Sequence, residues 1–178
     1  DYVEQVNDGC SESDEPIPAD GSVILGSTTG GTFDSVESCG SVSDSPGIWY
    51  NVIGNGTWLE ATTCVNETLF DTQLSVYIGD CDALACITGN DDNYFDPTCG
   101  LSSKVNWFTE ADTLYRIRVH GSFDYEAGDF GLTLEKLDNV EPPVNDDCSE
   151  TDVSIPADGS VILGSTRWGT VDSVESCG

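Results

Sequence analysis

Gly89-Asn90-Asp91-Asp92-Asn93 sets four oxygen-bearing side chains in a row, and calcium is held by six to eight oxygens from carboxylates, amides and backbone carbonyls. Asp71, in a Phe-Asp-Thr stretch, is the expected distant partner. Asp71, Asn90, Asp91 and Asp92 are therefore the candidate calcium ligands, with Asp96 near them in sequence. Asn and Asp also suit turn backbone conformations, which by itself accounts for such a loop. A weaker cation candidate is the cluster Asp138, Asp146 and Asp147, joined by Glu141 and Asp152. Like charges gathered there repel, and a bridging divalent ion reverses that repulsion.

Catalytic chemistry has little to work with. The chain contains no GxSxG, no HExxH and no glycine-rich phosphate loop, and His120 is its single imidazole. Carboxylate pairs are abundant because the whole chain is acidic, so a glycosidase-like pair carries no weight. The expectation is a protein that is not an enzyme. Among the aromatics, Trp58, Trp107, Tyr94, Phe95 and Tyr125 are the ones that stack on sugar rings if exposed, while Trp49 and Trp107 read as core.

These residues sit in a chain with 33 acidic and five basic side chains, a formal charge of −28 over 178 residues. Disordered acidic chains lack aromatic and β-branched residues. This one is 38% hydrophobic, with four Trp, six Tyr and six Phe, and can bury a core. Its negative potential argues against nucleic acid and anionic membranes as partners. No window approaches the ~20 apolar residues that span a bilayer, so no direct membrane insertion is expected. The sequence opens without a signal-peptide core and contains no methionine, which reads as a processed or excised piece of a longer precursor.

Eight cysteines are present: Cys10, Cys39, Cys64, Cys81, Cys86, Cys99, Cys148 and Cys177. No pair has CxxC spacing and only one histidine accompanies them, so the even count reads as disulfides formed in an oxidising compartment. Two glycosylation sequons, Asn55-Gly56-Thr57 and Asn66-Glu67-Thr68, agree with an extracellular or cell-surface location.

Self-comparison yields the strongest signal. NDGCSESDEPIPADGSVILGSTTGGTFDSVESCG at 7–40 recurs as NDDCSETDVSIPADGSVILGSTRWGTVDSVESCG at 145–178, with seven of 34 positions different. The copies are 138 residues apart, far longer than solenoid units of ~20 to 50 residues. The organisation expected is a linker from a preceding repeat (1–6), one complete repeat (7–138), a Pro-containing linker (139–144), and the first quarter of the next repeat (145–178). Paired prolines make that linker a stiff spacer. An isolated quarter-repeat cannot bury its apolar face. Either the sequence is a window on a longer polymer, or another chain completes the quarter, as in strand donation. Trp168 replaces Gly30 between the copies, which marks a surface or interface position.

The second copy holds only Cys148 and Cys177, so these are expected to pair with each other. Cys10–Cys39 then follows for the first copy, Cys81–Cys86 closes a hairpin, and Cys64–Cys99 remains.

Period-two alternation dominates, with candidate strands at 22–27, 48–53, 57–63, 73–78, 85–88, 104–108, 114–120 and 130–136. Leu74, Val76 and Ile78 share one face of their strand, as do Tyr115, Ile117 and Val119, and Phe130, Leu132 and Leu134. Arg116 and Arg118 point the other way. Gly, Asn and Asp turns fall between the runs. The fold class expected is all-β: an antiparallel β-sandwich of jelly-roll type, in tandem repeats and disulfide-stapled.

From Gly47 to Leu134, the runs GIWYNVIGNGTWLEATTC, FDTQLSVYIGDCDALACITGNDD, CGLSSKVNWFTEADTLYRIRVHGS and GDFGLTLE resemble a secreted family related to the bacterial pre-peptidase C-terminal domains. The resemblance implies a calcium-tolerant β-sandwich appended to secreted enzymes, adhesins and surface proteins, without chemistry of its own. Near-identical tandem copies depart from the usual single appendage. The expected function is a structural unit of an extracellular filament, surface appendage or stalk. An adhesin or carbohydrate-binding module is the alternative. The partners expected are further copies of the repeat, in the same or neighbouring chains, and surface glycans.

Overall fold

Every candidate strand forms, because alternation and turn chemistry are local signals that here agree with the tertiary packing. In the computed structural model, residues 7–13, 15–40, 45–93, 96–138 and 140 are described. The strands are β1 (Asp20–Ser27), β2 (Gly47–Ile53), β3 (Trp58–Thr62), β4 (Thr72–Ile78), β5 (Ala85–Asn90), β6 (Lys104–Phe108), β7 (Leu114–Gly121) and β8 (Asp129–Lys136), preceded by a 3-10 turn at Cys10–Glu12.

They make two antiparallel four-stranded sheets, ordered β1-β8-β3-β6 and β2-β7-β4-β5. Only β4 and β5 are neighbours both in sequence and in a sheet. Inward residues of both sheets interdigitate: Ile48, Tyr50 and Val52, Leu74 and Val76, and Tyr115, Ile117 and Val119 meet Leu59, Trp107, Phe130, Leu132 and Leu134. Burying side chains of this size contributes roughly 1.5–3 kcal/mol each, which is what holds the layers together.

The β2-β7-β4-β5 sheet is buried on its outer face as well. There Trp49 and Tyr77 pack under the connection between β1 and β2, with Cys39, Val36 and Leu84. That cover explains why β2 and β4 are buried at nearly every position. Arg118 points to this face, as its alternation requires, but it is 3% exposed rather than at the surface. Its Nε lies 2.9 Å from Asp34 Oδ2, its Nη2 donates to the Ser45 carbonyl at 2.8 Å, and its guanidinium stands over the Trp49 ring. Asp34 in turn accepts from Trp49 Nε1 at 3.0 Å.

Three disulfides join described residues. Cys64 bonds Cys99, the pair that remained in the expected scheme. The other two correct the expected scheme: Cys10 bonds Cys81 and Cys39 bonds Cys86, in place of Cys10–Cys39 and Cys81–Cys86. The reason is the wrapping of residues 7–40, whose two ends lie over the β4–β5 hairpin and are clamped to it. Cys148 and Cys177 lie outside the described residues, as does the rest of 145–178. No helix among the described residues is long and apolar enough to cross a membrane.

Candidate metal centre

Asp71 immediately precedes β4, and Asp91 and Asp92 immediately follow β5. Antiparallel pairing of the two strands, with Leu74 opposite Asn90, brings these chain ends together. One carboxylate oxygen from each of Asp71, Asp91 and Asp92 lies within 4.8 Å of the other two. Oδ1 of each is shielded from solvent and has no hydrogen-bond partner among the described residues. Burial without a partner is costly for such an oxygen. The Asp71 carboxyl is pushed up to about 6, first by burial and then by Asp91, Asp92 and Glu126.

Hydroxyls form the floor beneath. Thr63 and Thr72 Oγ1 are 2.6 Å apart, and the Ser103 amide donates to Thr63 Oγ1 at 2.9 Å. Ser103 Oγ donates to the carbonyls of Thr72 and Asp91, tying the two loops together. The Cys64–Cys99 disulfide holds the flanking segments, with Cα atoms 4.9 Å apart. Asn90 serves the loop through its amide: Nδ2 donates to the Asp92 and Lys104 carbonyls at 3.0 and 2.9 Å.

Glu126 is the residue that sequence reasoning missed. Its Oε2 is buried without a partner, and its charge bears on Asp71. Ser122 N donates to the Asp71 carbonyl at 3.2 Å, which lays the turn carrying Glu126 beside the site. In sequence Glu126 reads as one more acid in a turn, and nothing in its spacing points to Asp71.

A calcium–oxygen distance of ~2.3–2.6 Å lets two oxygens on one ion stand up to ~5 Å apart, so the three aspartates fit a hard, oxygen-bound divalent cation. No family model matches the chain, and no curated protein matches it. The arrangement therefore rests on its own geometry.

The other described candidates do not join this carboxylate cluster. Asp96 Oδ1 accepts from Thr98 N at 2.9 Å and Thr98 Oγ1 at 2.6 Å, closing a local turn. Of the linker cluster, Asp138 is exposed and 3.7 Å from Lys136 Nζ, while Asp146 and Asp147 lie outside the described residues. Asn55 and Asn66 are both exposed, in the β2–β3 and β3–β4 connections. His120 is 2% exposed, between Ser75 Oγ and the Gly121 carbonyl, as a packed structural group. Trp49, Trp58 and Trp107 are all buried, which removes Trp58 and Trp107 as sugar platforms. Tyr94, Phe95 and Trp168 lie outside the described residues. Tyr125 is 79% exposed and meets Phe33 edge-on, with ring centroids 5.3 Å apart.

Proposed function

We propose that this chain is a non-catalytic structural unit of an extracellular filament, cell-surface appendage or stalk, made of serial β-sandwich units and stiffened by calcium at Asp71, Asp91 and Asp92. The observation that carries the reading is the recurrence of 7–40 at 145–178. In the fold the first copy supplies an edge strand and two disulfide clamps, so a chain that holds this stretch twice carries docking material for more than one sandwich.

Successive strands change sheet at every step except β4 to β5, which supports jelly-roll connectivity. Disulfides support an oxidising compartment, and the exposed sequon asparagines Asn55 and Asn66 support glycan attachment there. The sequence resemblance to pre-peptidase C-terminal domains, which implies a calcium-tolerant unit without chemistry of its own, is in keeping with this reading. Buried, unpartnered carboxylate oxygens support the cation, which supplies the charge they lack.

Electron microscopy of concentrated protein in millimolar calcium tests the reading. End-to-end strings of beads are the expected result. Dispersed single particles at every concentration would overturn it.

A second reading, an adhesin or carbohydrate-binding module, is favoured by the exposed Phe33, Phe123 and Tyr125, since aromatic faces stack on sugar rings. A glycan array separates the two. Binding to a defined glycan that Tyr125→Ala abolishes supports the module.

A further inference from the structure

Successive side chains of β4 point to opposite faces of its sheet. Thr72, Leu74 and Val76 turn toward the other sheet, where Thr72 Oγ1 meets Thr63 Oγ1 at 2.6 Å and Leu74 and Val76 enter the inter-sheet core. Asp71, Gln73, Ser75 and Tyr77 therefore take the outer face, where Tyr77 packs with Trp49 and Cys39. Gln73 thus stands two residues from Asp71 on one face. The β4–β5 register sets Ser75 opposite Gly89 and Leu74 opposite Asn90, and one further step sets Gln73 opposite Asp91. Gln73 adjoins two of the three aspartates.

Gln73 is 0% exposed, yet neither its Oε1 nor its Nε2 has a hydrogen-bond partner among the described residues. A buried amide left unpaired at both atoms is costly, and a native fold rarely keeps one without something that uses it. Its neighbours on the outer face are committed elsewhere. Across to β7 it is paired with His120, whose Nε2 lies 3.0 Å from Ser75 Oγ and whose Nδ1 lies 3.1 Å from the Gly121 carbonyl. Ser75 Oγ donates to the Cys39 carbonyl at 2.9 Å, and the Cys39 backbone lies so close over β5 that Gly89 has no room for a Cβ. The direction left is toward Asp71 and Asp91, whose Oδ1 atoms are likewise shielded and unpartnered.

We propose that Gln73 Oε1 is a fourth, neutral ligand of the cation held by Asp71, Asp91 and Asp92, and that it tunes the site for calcium over magnesium. The inference rests on the cation reading above and deepens it by naming a ligand and the selectivity. Calcium accepts amide carbonyl oxygens beside carboxylates in flexible shells of six to eight, whereas magnesium demands a near-ideal octahedron and gives up its waters reluctantly. Oxygens shielded from solvent suit the first ion better. An amide also supplies its oxygen without adding a fourth negative charge to three that already repel one another. Nε2 of the same amide is left to donate to a neighbouring carboxylate oxygen, so both orphaned atoms are used.

The chain has two glutamines, Gln5 and Gln73, so labelling glutamine with 13C at the side-chain carbonyl gives two resonances that Gln73→Met assigns. Calcium added to the full-length chain should shift the Gln73 signal, and magnesium at the same concentration should not. By calorimetry, Gln73→Met should weaken calcium binding roughly tenfold or more, since even a partner outside the ligand set changes metal affinity by that much. In chelator the same variant should melt no lower than the wild type, because methionine fills the space without an unpaired amide. A Gln73 signal that stays put while calorimetry records calcium binding, or a methionine variant that binds calcium as tightly as the wild type, would overturn the proposal and leave the three aspartates as the site. An equal shift with magnesium would overturn the selectivity. A wild-type chain that takes up no calcium would remove the proposal and the cation reading together.

Discussion

Cys39, in the connection between β1 and β2, is bonded to Cys86 on β5, with their Cα atoms 5.3 Å apart across a sequence separation of 47. The bond pins the connection over Trp49 and Tyr77, on the outer face of the β2-β7-β4-β5 sheet. Replacing both cysteines by serine frees a long loop in the unfolded chain while leaving the inter-sheet core in place. The expected loss is about 2–4 kcal/mol, read from the denaturant midpoint. A change below ~1 kcal/mol would show that noncovalent contacts alone hold the connection.

Arg118 is 3% exposed and depends on Asp34 for its countercharge. Asp34→Ala leaves a buried guanidinium without a carboxylate and is expected to cost about 3–5 kcal/mol. Arg118→Met on top of Asp34→Ala removes the stranded charge and should recover a large part of that loss. A double-mutant cycle by urea unfolding measures it, and independent, additive losses would contradict the pairing.

His120 makes the fold acid-sensitive. Burial first, and the Arg118 charge second, lower its pKa from 6.5 to about 3, so the folded protein keeps it neutral. The unfolded chain takes up that proton below pH 6.5 and the folded chain refuses it. Stability from this group is therefore complete above pH 6.5 and falls as pH drops toward 3. His120→Gln should flatten the decline between pH 6.5 and 4 in urea unfolding series. An equal slope in both proteins would assign acid sensitivity to other groups.

Calcium should raise the melting temperature beyond the effect of sodium at matched ionic strength. Binding to the folded state alone adds ~2.7 kcal/mol at a hundredfold excess over Kd. Asp91→Asn with Asp92→Asn should abolish the increment. In chelator the same variant should melt no lower than the wild type, because it relieves the repulsion from Asp91 and Asp92 that adds to burial in raising Asp71 to about 6. Identical wild-type melting curves in chelator and in calcium would leave these aspartates as turn residues.

The eight strands were legible because alternation along a strand and glycine or Asp/Asn turns between strands are written within ten residues of one another. The gathering of Asp91 and Asp92 near Asp71 was legible for a related reason: Phe-Asp-Thr and Asn-Asp-Asp flank two strands that pair. Glu126 was not, since its approach depends on the β7–β8 turn reaching across to the start of β4. The cysteine spacing was misleading in the repeated segment. Two cysteines in one short copy invite pairing, yet each mate lies on the hairpin beneath. Linear order encodes hydrophobic period and turn chemistry, which act between near neighbours. Which thiol meets which, and which carboxylates share a cavity, are decided when two sheets close and a long connection folds over one of them.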